Sequence, residues 1–341
     1  MVLYPGPDGG APAGLLGSVD NALGLREWLE GEGHEVVATD AREGDELTSQ
    51  IGDAEVLVTT PFWPVYVDKG VFEAAPQLKV VLTAGVGSDH VDLGEAADRG
   101  ITVAEVTGSN VVSVAEHAVM QLLALVRNYI PAYRQVVDGR WDIAEIAKDS
   151  YDLERKTVGI YGAGAIGQLI AMRLKPFDVE TLYYKRSKLS HPEEAVIGAR
   201  YAYLEEMLER CDAIVMAAPL TPETQNLFDR DVLFGMKQGS WLVNISRGNI
   251  IDTDALVEAL EQGHLAGYAG DVWYPEPAPA DHPWRQMPRH MLTPHYSGTT
   301  LDAQKRYADG IRRLLSAHLK GTSMESDDVI VADGEIVGGA Y

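Results

Sequence analysis

Positive charge is scarce in this sequence. Lys and Arg number 28 against 51 Asp and Glu, a formal net charge of -23 over 341 residues. Nucleic acids and anionic membranes attract proteins through positive faces, so we expect neither as a partner. The sequence also lacks the run of about 18 apolar residues that a membrane-spanning helix needs, and its start lacks the regions of a signal peptide. A cytoplasmic protein is therefore expected.

Cysteine is nearly absent. The single residue, Cys211, excludes an internal disulfide, and its place in EEMLERCDAIVMAAP predicts a small buried side chain. Around His90 and His117 there is no HxxxH pattern, paired cysteine or carboxylate cluster at the spacing of metal ligands. We interpret both histidines as structural and expect no metal site.

What the sequence does have is an alternation of strand-like and helix-like segments, which predicts an α/β fold with parallel sheets. A single core stops growing near about 250 to 300 residues, so 341 residues predict two domains. The first alternating region comprises a helix at 21–33, strands at 34–40, 54–60, 78–85 and 101–106, and a long apolar helix at 111–129. A second region runs from 157 to 272, and a closing helix occupies 301–321.

We predict two doubly wound, Rossmann-like parallel-sheet domains, one inserted into the other. Residues 1–110 and 298–341 would form a discontinuous outer domain for the substrate, and residues 111–297 the dinucleotide-binding domain. The apolar helix that follows Asn110 predicts a surface buried between domains or subunits and favours a homodimer.

A dinucleotide motif, GAGAIG, follows the strand TVGIY and opens a helix. Gly162 allows the tight turn, Gly164 admits the pyrophosphate, and Gly167 lets the helix pack closely on the strand. We assign these glycines and Ile166 to cofactor binding. A glycine-rich turn without a ligand is the alternative.

The next strand, DVETLYY, ends in Lys185, Arg186, Ser187 and Lys188. An NAD site places Asp or Glu near this position to hold the ribose hydroxyls. Three cations and a hydroxyl suit a 2′-phosphate instead, so we expect NADP to be preferred and NAD to be the alternative. The competing interpretation is a solvated basic turn.

Arg247, Glu276 and His295 follow three successive predicted strands, where doubly wound sheets bind ligands. Arg can bind a carboxylate with two parallel bonds, and a His beside a carboxylate can exchange a proton. Arg, Glu and His in this order resemble the D-2-hydroxyacid dehydrogenase superfamily.

Within that superfamily the chain resembles the NAD(P)-dependent formate dehydrogenases over nearly its whole length. The motifs that carry this resemblance are LLGSVDNALGLREWLE near the start, PFWPVYV at 61, LTAGVGSDHVDL at 82, VAEVTGSNVVSVAEH at 103, GRWDIAEIAKDSYDLE at 139, GDVWYPEPAPADHPWR at 270 and TPHYSGTTLDAQKRYA at 293.

The resemblance implies a formate site and a homodimer. It implies that Arg247 and Asn110 bind the formate carboxylate, that His295 borders it, and that Pro61, Phe62 and Val86 wall a small pocket. For the cofactor, the resemblance implies contacts from Asp271, Ser297, Gly298 and Pro219, with Asp271 and Ser297 near the nicotinamide and Pro219 nearer the adenosine end.

One departure from the family pattern lies beside the active-site His. Formate dehydrogenases place Gln beside the active-site His, whereas this chain has Glu276, a pairing that belongs to the hydroxyacid enzymes. Two alternatives therefore stay open. A D-2-hydroxyacid dehydrogenase or glyoxylate reductase would use Glu276 and His295 as a proton relay, and a non-enzymatic dinucleotide sensor would bind cofactor without turnover.

Overall fold

The structure is a computed structural model that describes residues 1–338. The helices are Arg26–Gly31 (α1), Gly44–Ile51 (α2), Lys69–Ala74 (α3), Leu93–Asp98 (α4), Val111–Val126 (α5), Tyr129–Val137 (α6), Ile143–Ala147 (α7), Ala165–Leu174 (α8), His191–Ile197 (α9), Leu204–Arg210 (α10), Arg230–Gly235 (α11), Thr253–Glu261 (α12) and Leu301–Lys320 (α13). The strands are Val56–Thr59 (β1), Val80–Thr83 (β2), Thr102–Glu105 (β3), Thr157–Tyr161 (β4), Glu180–Tyr184 (β5), Ala199–Tyr201 (β6), Ala213–Met216 (β7), Ser240–Asn244 (β8), Leu265–Gly270 (β9), His290–Leu292 (β10), Val329–Ala332 (β11) and Glu335–Ile336 (β12).

The chain forms two compact units. The first comprises Met1–Asn110 together with the chain from Gly298 onward, and the second comprises Val111–Ser297. Several helices in both units begin at an Asp whose carboxylate accepts the amide N–H three residues later: Asp68, Asp92, Asp142, Asp229 and Asp252. Part of the acidic excess therefore caps helices.

The sheet of the first unit has the strand order β1-β2-β3-β11-β12. Strands β1 to β3 pair in parallel, whereas β11 runs antiparallel to β3. Strand β2 is buried along its whole length, as expected for a strand covered on both faces. Helix α13 packs on β2, so the last helix of the chain belongs to the same core as the first strands.

The sheet of the second unit has the order β10-β9-β8-β7-β4-β5-β6, and every neighbouring pair is parallel. The chain winds outward from β4 to one side and then from β7 to the other. The point where the order reverses, between β4 and β7, is where such sheets bind ligands beyond the carboxyl ends of their strands. Helix α5 covers this sheet against β8, β9 and α8.

The predicted fold class, α/β with two Rossmann-like domains, is confirmed, with β11 and β12 of the first sheet antiparallel where parallel strands were predicted. The predicted burial of Cys211, which is 1% exposed, is also confirmed. The predicted strand at 34–40 is wrong. This segment makes only one isolated bridge, between Thr39 and Val2, and Val37 points into solvent. The Val36 carbonyl accepts from the Arg26 side chain at 2.8 Å and the Val37 carbonyl from the Met1 amine at 2.6 Å, so these groups are satisfied outside a regular ladder.

Two predicted helices are shorter than expected. The helix at 21–33 reduces to α1 because Ala22 and Leu23 take left-handed backbone angles in the preceding turn. The apolar helix at 111–129 ends at Val126, and left-handed Asn128 separates it from α6.

Candidate active site

The glycine turn after β4 has the geometry that its sequence predicts. Gly162 has φ of 107°, and a Cβ there would lie 2.3 Å from the Ala218 backbone nitrogen. A Cβ on Gly167 would lie 2.2 Å from the Gly162 oxygen, so only glycine lets α8 approach the turn. A Cβ on Gly164 would meet no atom within 4 Å. Open space therefore faces the N-terminus of α8, which fits a pyrophosphate.

The basic cluster follows β5 directly. Lys185 is half-buried, whereas Arg186, Ser187 and Lys188 are exposed. The Tyr183 hydroxyl accepts the Leu189 N–H at 2.9 Å and thereby anchors the end of the cluster. Lys188 is paired within the chain, since its Nζ lies 3.7 Å from Glu194 Oε1.

Pro219 lies three residues beyond β7, next to β4 in the sheet, and its carbonyl accepts the Thr224 hydroxyl at 2.8 Å. This turn is therefore on the same edge of the sheet as the glycine turn. Ile166 occupies the first turn of α8 and packs partly buried against the core.

Strands β8, β9 and β10 are adjacent, and Arg247, Glu276 and His295 follow them on one edge. The Arg247 turn is held by Asn244, whose amide donates to the Arg247 carbonyl at 2.9 Å. A Cβ on Gly248 would lie 2.2 Å from the Trp273 carbonyl carbon. This glycine therefore lets the Arg247 turn pack against the segment that leads to Glu276.

His295 and Glu276 form a close pair, with 2.7 Å between Nδ1 and Oε2. The other carboxylate oxygen of Glu276 accepts the Trp273 N–H at 2.8 Å, which fixes its orientation. Burial lowers the pKa of His295, but Glu276, by charge and hydrogen bond, and Asp271 outweigh burial and the opposing Arg247, so that the pKa is raised.

Asp271 and Ser297 also lie together, because the Ser297 N–H donates to Asp271 Oδ2 at 2.9 Å. Asp271 is supported by Thr293, with Gln121 and His117 bonded to the Thr293 hydroxyl; His117 was predicted to be structural, whereas Thr293 and Gln121 were not predicted as support for Asp271. Thr293 stands two residues before His295 in the TPH segment, but nothing in the local pattern distinguishes its hydroxyl from that of a solvent-facing Thr.

The remaining predicted residues are in the first unit. Gly85, with φ of 150°, would place a Cβ 2.9 Å from the Pro61 ring, so Pro61 packs directly on the residue that precedes Val86. The Phe62 ring lies 5.8 Å from that of Tyr4.

A buried carboxylate holds the segment after Val86. Glu105 Oε2 accepts the Gly87 N–H at 3.0 Å and the Ser88 hydroxyl at 2.9 Å. Glu105, which was not among the predicted site residues, therefore holds the backbone that follows the half-buried Val86.

Asn110 is 8% exposed, and its Oδ1 accepts no hydrogen bond within the described residues. A Cβ on Gly298 would lie 2.7 Å from Asn110 Nδ2, so these two predicted residues are in contact. An unsatisfied polar atom in a buried side chain is costly unless a ligand or water completes it, which suits a binding role.

Across residues 1–338, His, Cys, Asp and Glu form no group of three or more that could hold a metal ion. No described helix has both the length and the apolar character that crossing a membrane requires.

The fold and the glycine turn define a nicotinamide-dinucleotide dehydrogenase. The family model for the NAD-binding domain of D-isomer specific 2-hydroxyacid dehydrogenases matches residues 119–297. The mitochondrial formate dehydrogenase of Solanum tuberosum is 51% identical over 325 residues, covering 94% of this chain and 85% of that protein.

Solved structures agree. The formate dehydrogenase of Granulicella M. superimposes with a TM-score of 0.93 at 47% identity, covering 99% of this chain and 91% of its own. The NAD-dependent enzyme of Staphylococcus aureus, solved with NAD, gives 0.92 at 47% identity, covering 97% and 98%. The chain belongs to the formate dehydrogenases of the D-isomer specific 2-hydroxyacid dehydrogenase family.

Proposed function

We propose that this protein oxidises formate to carbon dioxide by direct hydride transfer to a nicotinamide dinucleotide, with a preference for NADP. The observation that carries the proposal is the placement of Arg247, Glu276 and His295 beyond three adjacent parallel strands, in a chain whose relatives carry the name formate dehydrogenase. The reaction moves one hydride and leaves neutral carbon dioxide, so no proton has to be transferred.

The glycine turn fits the cofactor. Open space at Gly164 and the N–H groups of the first turn of α8 would hold the pyrophosphate, and Asp271 and Ser297 would serve the nicotinamide end, with Gly298 also contacting the cofactor. When bound, the nicotinamide ring supplies the hydride acceptor.

Orientation is the main task of the protein residues. We assign the formate carboxylate to Arg247, which can donate two parallel hydrogen bonds, and to Asn110, which supplies an amide. Pro61, Phe62 and Val86 would exclude water and admit only a small substrate. His295, whose pKa is raised by Glu276 despite burial, would add positive charge beside the formate anion.

The preference for NADP rests on the cluster from Lys185 to Lys188. No carboxylate occupies the end of β5, and Arg186 and Ser187 project into solvent from the turn beside the glycine motif. Guanidinium, ammonium and hydroxyl groups together suit a 2′-phosphate.

A second candidate is a D-2-hydroxyacid dehydrogenase or glyoxylate reductase. The 2.7 Å contact between His295 Nδ1 and Glu276 favours it, because a carboxylate-oriented imidazole can transfer the proton that such a reaction needs. A non-enzymatic sensor has no comparable observation in its favour.

One assay tests both parts of the proposal, the oxidation of formate and the preference for NADP. Formation of reduced nicotinamide is followed with formate as the sole donor, at limiting NADP or NAD. A higher kcat/KM for NADP supports activity and preference together. A higher value for NAD keeps the activity and removes the preference. No reduction of either cofactor, with turnover of D-lactate or glyoxylate, replaces the proposal by the second candidate.

We also propose a homodimer. The region around α6 and α7 exposes large apolar side chains, among them Val137 at 65%, Trp141 at 81% and Ile143 at 69%. Exposed apolar residues grouped in this way mark interaction surfaces. Light scattering on the purified protein should give twice the chain mass, and Val137→Asp should lower it. Val196→Asp, at an exposed Val of α9, is the control.

A further inference from the structure

Two side chains of α5 converge on one hydroxyl. His117 and Gln121 are four residues apart on the buried face of α5, so they are neighbours on the helix surface. His117 Nε2 lies 3.2 Å from Thr293 Oγ1, and Gln121 Nε2 lies 3.3 Å from the same oxygen. Thr293 Oγ1 in turn lies 2.6 Å from Asp271 Oδ1.

The chemistry of a hydroxyl fixes the direction of these bonds. Thr293 has one proton to donate, and the carboxylate of Asp271 offers both the shortest contact and the strongest acceptor. His117 and Gln121 must then donate to the two lone pairs of Thr293. Burial, which outweighs the attraction of Asp271, lowers the pKa of His117, so the neutral imidazole carries its proton on Nε2.

The Asp271 carboxylate also accepts hydrogen bonds from the backbone that follows His295. It is fully buried and accepts the Tyr296 N–H on Oδ1 at 3.1 Å and the Ser297 N–H on Oδ2 at 2.9 Å. His295 itself has φ of 51°, a left-handed conformation that is costly for a residue other than glycine. Such a conformation persists only where the surroundings enforce it, and the two amides that follow His295 are both held by Asp271.

We propose that Thr293, fixed by His117 and Gln121, is a positioning residue for the reaction: it orients the Asp271 carboxylate, which in turn sets the backbone that places His295. The mechanistic consequence for turnover rests on the proposed function. The arrangement of His295 itself is a property of the free enzyme and can be measured without any substrate.

The matched variants are Thr293→Val, which keeps the shape and removes the hydroxyl, and Thr293→Ser, which keeps the hydroxyl. The charged groups that face His295 are Glu276 and Asp271, which raise its pKa, and Arg247, which lowers it. In Thr293→Val the Asp271 carboxylate loses its shortest donor and no longer stays beside His295. The His295 imidazole should therefore titrate at lower pH.

The primary measurement is an NMR pH titration of histidine-labelled full-length enzyme, with the His295 signal assigned through His295→Gln. A second readout is the pH profile of kcat/KM for formate. We expect Thr293→Val to lose between about tenfold and a hundredfold in kcat/KM, the range for a misplaced catalytic group, and to shift its alkaline limb to lower pH. Thr293→Ser should match the parent in both.

The proposal is overturned if folded Thr293→Val titrates His295 as the parent does, or if Thr293→Ser is as impaired as Thr293→Val. Should Thr293→Val fail to fold, Gln121→Met removes one donor to the hydroxyl and must still shift the His295 titration in the same direction. A parent enzyme without formate turnover would count against the proposed function alone, because the NMR titration would still decide the role of Thr293.

Discussion

His295 Nδ1 lies 2.7 Å from Glu276 Oε2, and Trp273 holds the other oxygen of that carboxylate. A carboxylate in this position favours the protonated imidazole, which a neutral amide would not do. The formate dehydrogenases that this sequence resembles place Gln beside the active-site His, where this chain has Glu276. The substitution therefore acts on the charge of the site more than on its shape.

Replacing Glu276 with Gln tests this interpretation. The raised pKa of His295 means that its positive charge, and with it the attraction for formate, is lost only as the pH rises past that pKa. Glu276→Gln removes the carboxylate, so the pKa falls and the alkaline limb of kcat/KM should move to lower pH. The measurement is the pH profile of both enzymes with formate. Superimposable profiles would show that the charge of His295 does not serve formate binding.

A pair of glycine variants separates cofactor binding from folding. Gly164→Ala adds a methyl group that meets no atom within 4 Å, so the melting temperature should stay unchanged while cofactor affinity falls by at least about tenfold. Gly167→Ala forces a methyl group to within 2.2 Å of the Gly162 oxygen and should cost roughly 1 to 3 kcal/mol of stability as well. Thermal unfolding and calorimetric titration with cofactor measure the two effects. Unchanged cofactor affinity in Gly164→Ala would show that the pyrophosphate does not bind at this turn.

The glycine turn and the strand ends could be predicted from the sequence because their signals are local. Gly162, Gly164 and Gly167 have fixed spacing after a strand, and parallel strands bring their carboxyl ends to one edge whatever their order. The hydrogen bonds that orient Asp271 through Thr293 could not be predicted. His117 and Thr293 are 176 residues apart in the sequence and meet only when the chain is packed. The predicted strand at 34–40 is wrong for a related reason: its two valines favour a strand locally, but their carbonyls accept hydrogen bonds from Arg26 and the Met1 amine, and the segment makes one isolated bridge to Val2.

Replacing Phe62 tests whether this residue of the first unit forms a wall of the proposed formate pocket. Phe62→Ala removes the ring that packs near Tyr4 and Tyr307, enlarges the proposed formate pocket, and should lower kcat/KM for formate by about tenfold, since a missing apolar group in a pocket costs about 1 to 3 kcal/mol. Phe62→Leu, which keeps most of the volume, should lose less. Steady-state kinetics are compared with the melting temperature of each variant. Full activity in a folded Phe62→Ala would place formate elsewhere.

Lys185 tests the cofactor preference most directly, because it is the half-buried member of the cluster and stands where an NAD site carries a carboxylate. Lys185→Asp removes a cation from the proposed 2′-phosphate and supplies an acceptor for ribose hydroxyls. A hydrogen bond to a charged group contributes about 1.5 to 3 kcal/mol, so the ratio of kcat/KM for NADP over NAD should fall between about tenfold and a hundredfold. Lys148→Asp, at an exposed Lys, makes the same change in net charge and should leave the ratio alone. If the two variants keep the same ratio as the parent, the cluster is a solvated turn and selectivity is set by other residues.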